Sequence, residues 1–138
     1  MIKVLGKIFF YGITFLLVFA VLCQVGLLPF RLVYFLSGSM QPTYQPGDLA
    51  FVYVGKNIQV NNGDVILFLF EGAPTMHRAI SIEEIGITTQ GDANSNPDNE
   101  KVTHVEGKLL FAIPKIGYVL DGIQIAIQNL TFWVKGII

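Results

Sequence analysis

Cysteine is nearly absent: the 138 residues hold one, Cys23, so no intrachain disulfide and no cysteine metal cluster can form, and the fold must hold by packing. Histidine is almost as scarce, with His77 and His104 only, too few for a zinc site of the usual His and Cys composition. Charged residues make up 14% of the chain and the formal net charge is -1, so the basic excess that a polyanion partner requires is missing. Nucleic acid is set aside as a partner on that ground. There is also no room for a second catalytic unit, because about 100 residues remain once a membrane span is subtracted. What is abundant is apolar surface, 52% of residues, crowded toward the two ends.

Ile8 to Leu28 is an apolar run of about 21 residues, enough for a helix to cross a hydrocarbon core of about 30 Å. A cleaved secretory signal has a shorter apolar core that ends at a small-residue cleavage site, whereas this run leads into Leu27-Leu28-Pro29-Phe30, so a retained anchor is expected. Lys3, Lys7 and the amino terminus precede the run and Arg31 alone follows it closely, which puts the N-terminus in the cytoplasm and everything after Arg31 outside.

Between Val33 and about Pro114 the pattern is one of strands and turns. Pro46-Gly47-Asp48 introduces Leu49 to Val54, and Asn61-Asn62-Gly63-Asp64 introduces Val65 to Phe70. His77 to Ile82, Ile85 to Gln90 and Lys108 to Ile113 are further strand candidates, suited to a small barrel or sandwich. Leu49, Phe51 and Phe68 read as core positions. From Gly117 to Lys135, apolar Val119, Leu120, Ile123, Ile127, Leu130 and Val134 alternate at helical spacing with Asp121, Gln124, Gln128, Thr131 and Lys135. That pattern predicts an amphipathic helix at the membrane surface or against the domain, since Asp121, Gln124 and Gln128 would be costly within hydrocarbon. The expected class is mainly β: an anchor over 1–31, a β-rich domain over 32–115 and a C-terminal helix over 116–138.

The segment richest in chemistry is Ser37-Gly38-Ser39-Met40-Gln41-Pro42-Thr43, followed by Gly47-Asp48. Small residues around a serine permit a tight turn that exposes the hydroxyl and aims amide hydrogens at a reacting carbonyl, although Ser-Gly-Ser by itself is equally a linker. A serine nucleophile also needs a base within hydrogen-bond reach. Two histidines are available for that work, and Gly91 to Lys101 is the one clearly polar loop, with Asp92 and Asp98 in it.

Taken together, Ser-Gly-Ser-Met-x-Pro-Thr with Gly-Asp, then Met76-His77-Arg78, then Gly91-Asp92-Ala93-Asn94-Ser95-Asn96-Pro97-Asp98, resemble the boxes of type I signal peptidases. The histidine marks the endoplasmic-reticulum and archaeal branch, which includes related enzymes of spore formers and replaces the lysine of the common bacterial enzymes. The resemblance implies a membrane-bound serine endopeptidase with Ser39 as nucleophile, His77 as general base and Asp98 as the carboxylate that orients the imidazole. It gives Ser37 and Asp92 supporting roles, near the oxyanion and in shaping the site. It implies signal peptides of secretory precursors as substrates, a preference for small residues one and three positions before the cut, and no metal or organic cofactor. Membrane lipid and the protein-translocation machinery are the neighbours it suggests, in the cell membrane or, in a eukaryote, the endoplasmic-reticulum membrane. Gln41 and Ala93 depart from residues common in the family, glutamate and asparagine.

Competing readings attach to the same residues. Asp92, Asn94, Asn96 and Asp98 have the alternation of a calcium loop, but Pro97 stands where glycine is needed and Thr103 where the bidentate glutamate is needed. His104, among Lys101, Thr103 and Glu106, reads as an exposed strand residue. Asn129-Leu130-Thr131 matches a glycosylation acceptor with no context to support it. A self-cleaving serine-lysine peptidase of the LexA repressor type would have to use Lys56, the one lysine between Ser39 and Lys101. Outside the enzymes, the rival is a catalytically silent anchored β domain within a larger complex.

Overall fold

The computed structural model describes residues 2–116. The chain opens with helix α1, Ile2–Gln24, whose sides are exposed along most of its length. Its stretch Lys3–Gln24 has a mean hydropathy of 2.2, long and apolar enough to cross a membrane. The helix ends four residues before Leu28. Gly26, at a φ of 77°, takes the left-handed conformation that closes a helix, with Leu27 N–H donating to Leu22 O at 3.0 Å and Gly26 N–H to Cys23 O at 3.3 Å. Pro29 then prevents its resumption.

Six strands follow: β1 Phe30–Tyr34, β2 Leu49–Tyr53, β3 Val65–Phe70, β4 Ala73–Glu83, β5 Gly86–Gln90 and β6 Gly107–Ile113. They make one antiparallel sheet in the order β1-β2-β6-β3-β4-β5. The strands expected near residues 49, 65, 77, 85 and 108 are all present. β1 is additional, because Phe30–Tyr34 continues an apolar stretch and carries no turn signal of its own to set it apart. The amphipathic helix expected over Gly117 to Lys135 lies outside the described residues.

Both Gly-Asp turns are built alike. Gly47 and Gly63 have φ of 88° and 94°, where a side chain would be strained, and the aspartate after each folds back on an amide three residues earlier. Asp48 Oδ2 accepts from Gln45 N–H at 2.9 Å, and Asp64 Oδ2 from Asn61 N–H at 2.7 Å. The turns therefore set the starts of β2 and β3. Ala50 and Val52 of β2 are fully buried, while Leu49 and Phe51 are half-buried on the other side. Phe51 stacks between Phe19 of α1, Phe30 and Phe111, so its packing partners include the helix as well as the sheet.

Strand β3 is buried on both faces. Val65 and Leu67 enter a cluster with Phe35, Met40, Ala50, Val52 and Met76, and Ile66 and Phe68 enter a second with Val102. The first cluster holds Met40, with 0% exposure, immediately after Ser39. Burial of that one side chain ties the serine turn to β2, β3 and β4. Met40→Ala is expected to cost about 2–5 kcal/mol, while Met40→Leu, close in volume, costs under about 1.5 kcal/mol, measured by denaturant unfolding in detergent.

Candidate functional site

Strand β4 is longer than the strand beside it. β5 pairs with Arg78 to Glu83 only, so the Ala73 to His77 half of β4 has no β5 partner on that side. The turn from Ser37 to Tyr44 comes up to this half. It is compact, with Gln41 N–H donating to Gly38 O at 3.0 Å and Tyr44 N–H to Met40 O at 2.9 Å. After β5 the chain continues into the loop of residues 91–98, which touches both the serine turn and β4.

Ser39 Oγ lies 3.1 Å from His77 Nε2, and His77 Nδ1 lies 2.7 Å from Asp98 Oδ2. The His77 and Asp98 side chains are 10% and 9% exposed, so the chain of contacts is shielded but still reachable. The ring edge of Phe68, centroids 6.2 Å apart, covers the imidazole from the second apolar cluster. Asp98 is in turn held by Thr89, whose hydroxyl donates to Oδ2 at 2.6 Å and whose carbonyl accepts from Asp98 N–H at 2.8 Å. A carboxylate that accepts from Nδ1–H leaves the Nε2 lone pair facing Ser39, the tautomer a proton acceptor needs.

The other sequence-derived residues fall around this line. Ser37 Oγ is 3.1 Å from Ser39 Oγ and 3.5 Å from Ser39 N, beside the serine but outside the series that runs to Asp98. Asp92 bonds Arg78 rather than His77, accepting from Nε at 2.8 Å and from Nη2 at 2.6 Å. Arg78 Nη1 also donates to Gly63 O at 2.7 Å. The two aspartates of the calcium-like spacing therefore face different partners. His104 is remote in character: its side chain is 83% exposed and its neighbour is Glu106 at 3.8 Å. Lys56 is exposed in the turn after β2.

A cavity of about 90 Å³ borders Ser39, lined among others by Phe35, Leu36, Leu67, Pro74 and Met76. Its walls are mostly apolar and its size suits a small side chain. A larger cavity of about 230 Å³ opens between the end of β3 and residues 100–106 and holds His104 but neither Ser39 nor His77. Of these two cavities, the smaller is the one that borders the Ser39 hydroxyl.

Two features escaped the sequence. Thr89 looked like any β-branched strand residue, and nothing local signals that a loop residue nine positions on returns to it. Gly91 opens the third box of the sequence, but its φ is not left-handed and the constraint on it is space. A Cβ there would lie 2.6 Å from the Ser39 carbonyl oxygen, and Ala93 N–H donates to that same oxygen at 2.8 Å. Gly91 thus lets the loop approach the serine backbone.

Arg78 holds the Asp92 carboxyl below its ordinary 3.8 through their hydrogen bonds, against partial burial, which pushes it up; Thr43 assists. The Arg78 guanidinium is raised correspondingly, Asp92 being its first cause.

No protein-family model matches the chain. Over 106 residues, 64% of its length, it is 33% identical to a protein named signal peptidase complex catalytic subunit SEC11 from Clavispora lusitaniae, covering 62% of that relative. It is 31% identical over 107 residues to the protein of the same name from Colletotrichum graminicola, covering 66% of this chain and 62% of the relative. Against the signal peptidase complex catalytic subunit SEC11C of Homo sapiens the identity is 35% over 74 residues, 49% of this chain and 38% of the relative. The chain thus spans about three fifths of the length of the fungal relatives it matches.

Two outcomes follow. Asp92→Asn lowers stability by about 1–2 kcal/mol at pH 7, since solvent still screens Arg78. Because the folded-state pKa of Asp92 is depressed, that contribution is complete above the ordinary value of 3.8 and fades as pH falls through the depressed one, so melting curves of variant and parent converge only in acid. Gly91→Ala displaces the Ser39 backbone and is expected to cut any serine-dependent turnover by about 100-fold while the chain still folds, checked by activity alongside circular dichroism.

Proposed function

Because the chain is a homologue of signal peptidase complex catalytic subunits, we propose that it is a membrane-bound serine endopeptidase that removes signal peptides from secretory precursors. The observation that carries this reading is the continuous contact Ser39 Oγ to His77 Nε2 to Asp98 Oδ2, at 3.1 and 2.7 Å. In the proposed reaction the Ser39 hydroxyl attacks the scissile carbonyl as its proton passes to His77 Nε2. The imidazolium is stabilised by Asp98 and returns the proton to the leaving amine. Water then repeats the sequence on the acyl-enzyme, releasing the mature protein.

The tetrahedral oxyanion is assigned to the Ser39 amide with help from the Ser37 hydroxyl, and Asp92 supports the site through Arg78. The cavity of about 90 Å³ beside Ser39 favours a small residue before the cut. No metal or cofactor enters this chemistry.

The anchor explains where the reaction would occur. Helix α1 ends at Gln24 and β1 starts at Phe30, so only a short link separates the span from the sheet. Phe19 of the helix stacks on Phe51 of β2 with ring centroids 6.2 Å apart, which holds the sheet against the end of the span. A signal peptide presents its cleavage site just beyond its own apolar segment, so an anchored nucleophile meets it at a raised effective concentration. In this reading residues 1–31 anchor a catalytic domain over 32–115, with the N-terminus cytoplasmic and the domain on the far side of the membrane. The translocation machinery is the natural neighbour of such an enzyme.

Membranes carrying the chain are expected to convert a secretory precursor to its mature form, with the new N-terminus read by mass spectrometry. Ser39→Ala and His77→Ala each abolish conversion. Full processing by both variants would remove the mechanism, and assembly into a complex with no processing by the parent chain would leave the silent anchored domain as the function.

A further inference from the structure

Thr89 has no part in the proton path above, yet it is the residue that grips Asp98. It is fully buried on β5, at 0% exposure. Its hydroxyl donates at 2.6 Å to Oδ2, the same oxygen that meets His77 Nδ1 at 2.7 Å, and its carbonyl takes the Asp98 amide at 2.8 Å. One strand residue thus fixes both the backbone and the carboxylate of an aspartate carried by a loop. The loop needs such a hold, because residues 93–97 just before Asp98 are exposed.

We propose that Thr89 is a positioning residue for the peptidase site, its hydroxyl locking the Asp98 carboxylate toward His77. The inference rests on the peptidase reading for its consequence in turnover, though not for its geometry. Two donors meet on one carboxylate oxygen. An ionised carboxylate accepts only, so it satisfies both at once; a neutral acid would bring its own proton to the group. The same arrangement disfavours the imidazole tautomer with a bare Nδ1, whose lone pair would face Oδ2. His77 is thereby committed to a proton on Nδ1 and a lone pair on Nε2, directed at Ser39. A β-branched threonine suits the task, since its χ1 is stiff and its hydroxyl is held rather than searching.

The competing role for Thr89 is space-filling beneath the loop, and three substitutions separate the two. Thr89→Ser keeps the hydroxyl and loses the methyl, Thr89→Val keeps the bulk and loses the hydroxyl, and Thr89→Ala loses both. In the full-length chain in detergent micelles, with a secretory precursor as substrate, Thr89→Ser is expected to stay within about three-fold of the parent in kcat. Thr89→Val and Thr89→Ala fall by about ten-fold or more with KM unchanged, the loss that follows removal of a hydrogen bond to a charged group. A valine variant that turns over like the parent, or better than the serine variant, overturns the proposal. If the valine variant does not fold, serine against alanine decides, and equal losses in those two contradict it.

A second readout does not depend on turnover. In protein labelled with ¹⁵N-histidine, the His77 Nδ1 proton is expected far downfield in the parent and in Thr89→Ser, and shifted upfield or lost to exchange in Thr89→Val. A parent chain that processes no precursor counts against the peptidase reading alone, and this resonance then decides the Thr89 inference by itself. A parent that processes its precursor alongside an unchanged valine variant counts against Thr89 alone.

Discussion

The site exists because one loop can lie against a serine turn and a histidine strand at the same time. Residues 91–98 leave β5, pass the Ser39 carbonyl so closely that only glycine fits at position 91, and donate the Ala93 N–H to that carbonyl oxygen. They then set Asp92 on Arg78 and Asp98 on His77, two adjacent residues of β4 whose side chains leave opposite faces of the strand. Removing that contact would not unfold the sheet. It would take away the Asp98 carboxylate that meets His77 Nδ1 at 2.7 Å.

The rest of the fold reads as support for that approach. Met40 is buried among Phe35, Val52, Leu67 and Met76, so the turn cannot lift without opening the first apolar cluster. Asp48 caps the same turn through Gln45 and reaches the Lys115 amide at 2.9 Å at the far end of β6. Phe68 closes the other side of the imidazole. The aromatic stack from Phe19 to Phe51 ties the sheet that carries these residues to the apolar helix, which is long enough to cross a membrane.

Much of this is legible in the amino-acid sequence. The Gly-Asp turns announce β2 and β3 because a left-handed glycine and a back-folding aspartate are local events, and the short apolar run after each is read directly. Ser39, His77 and Asp98 could be named as a set only through resemblance to a family, since nothing in their spacing states that residues 38 and 21 positions apart meet. β1 was hidden by its own hydrophobicity, which continues that of the span before it. The part played by Thr89, and the reason for Gly91 at the head of its box, are hidden for a common cause: each matters through a partner brought to it by the folded loop.

The central claim is that positions 39 and 77 act as one unit. A double-mutant cycle on precursor cleavage by the purified full-length chain tests it most directly, comparing Ser39→Ala, His77→Ala and the combined variant. The account predicts that the combined variant is no slower than either single one, because a base with no hydroxyl to serve has nothing further to lose. Losses that multiply would mean that the two side chains contribute independently, and the proton path between them would have to be abandoned.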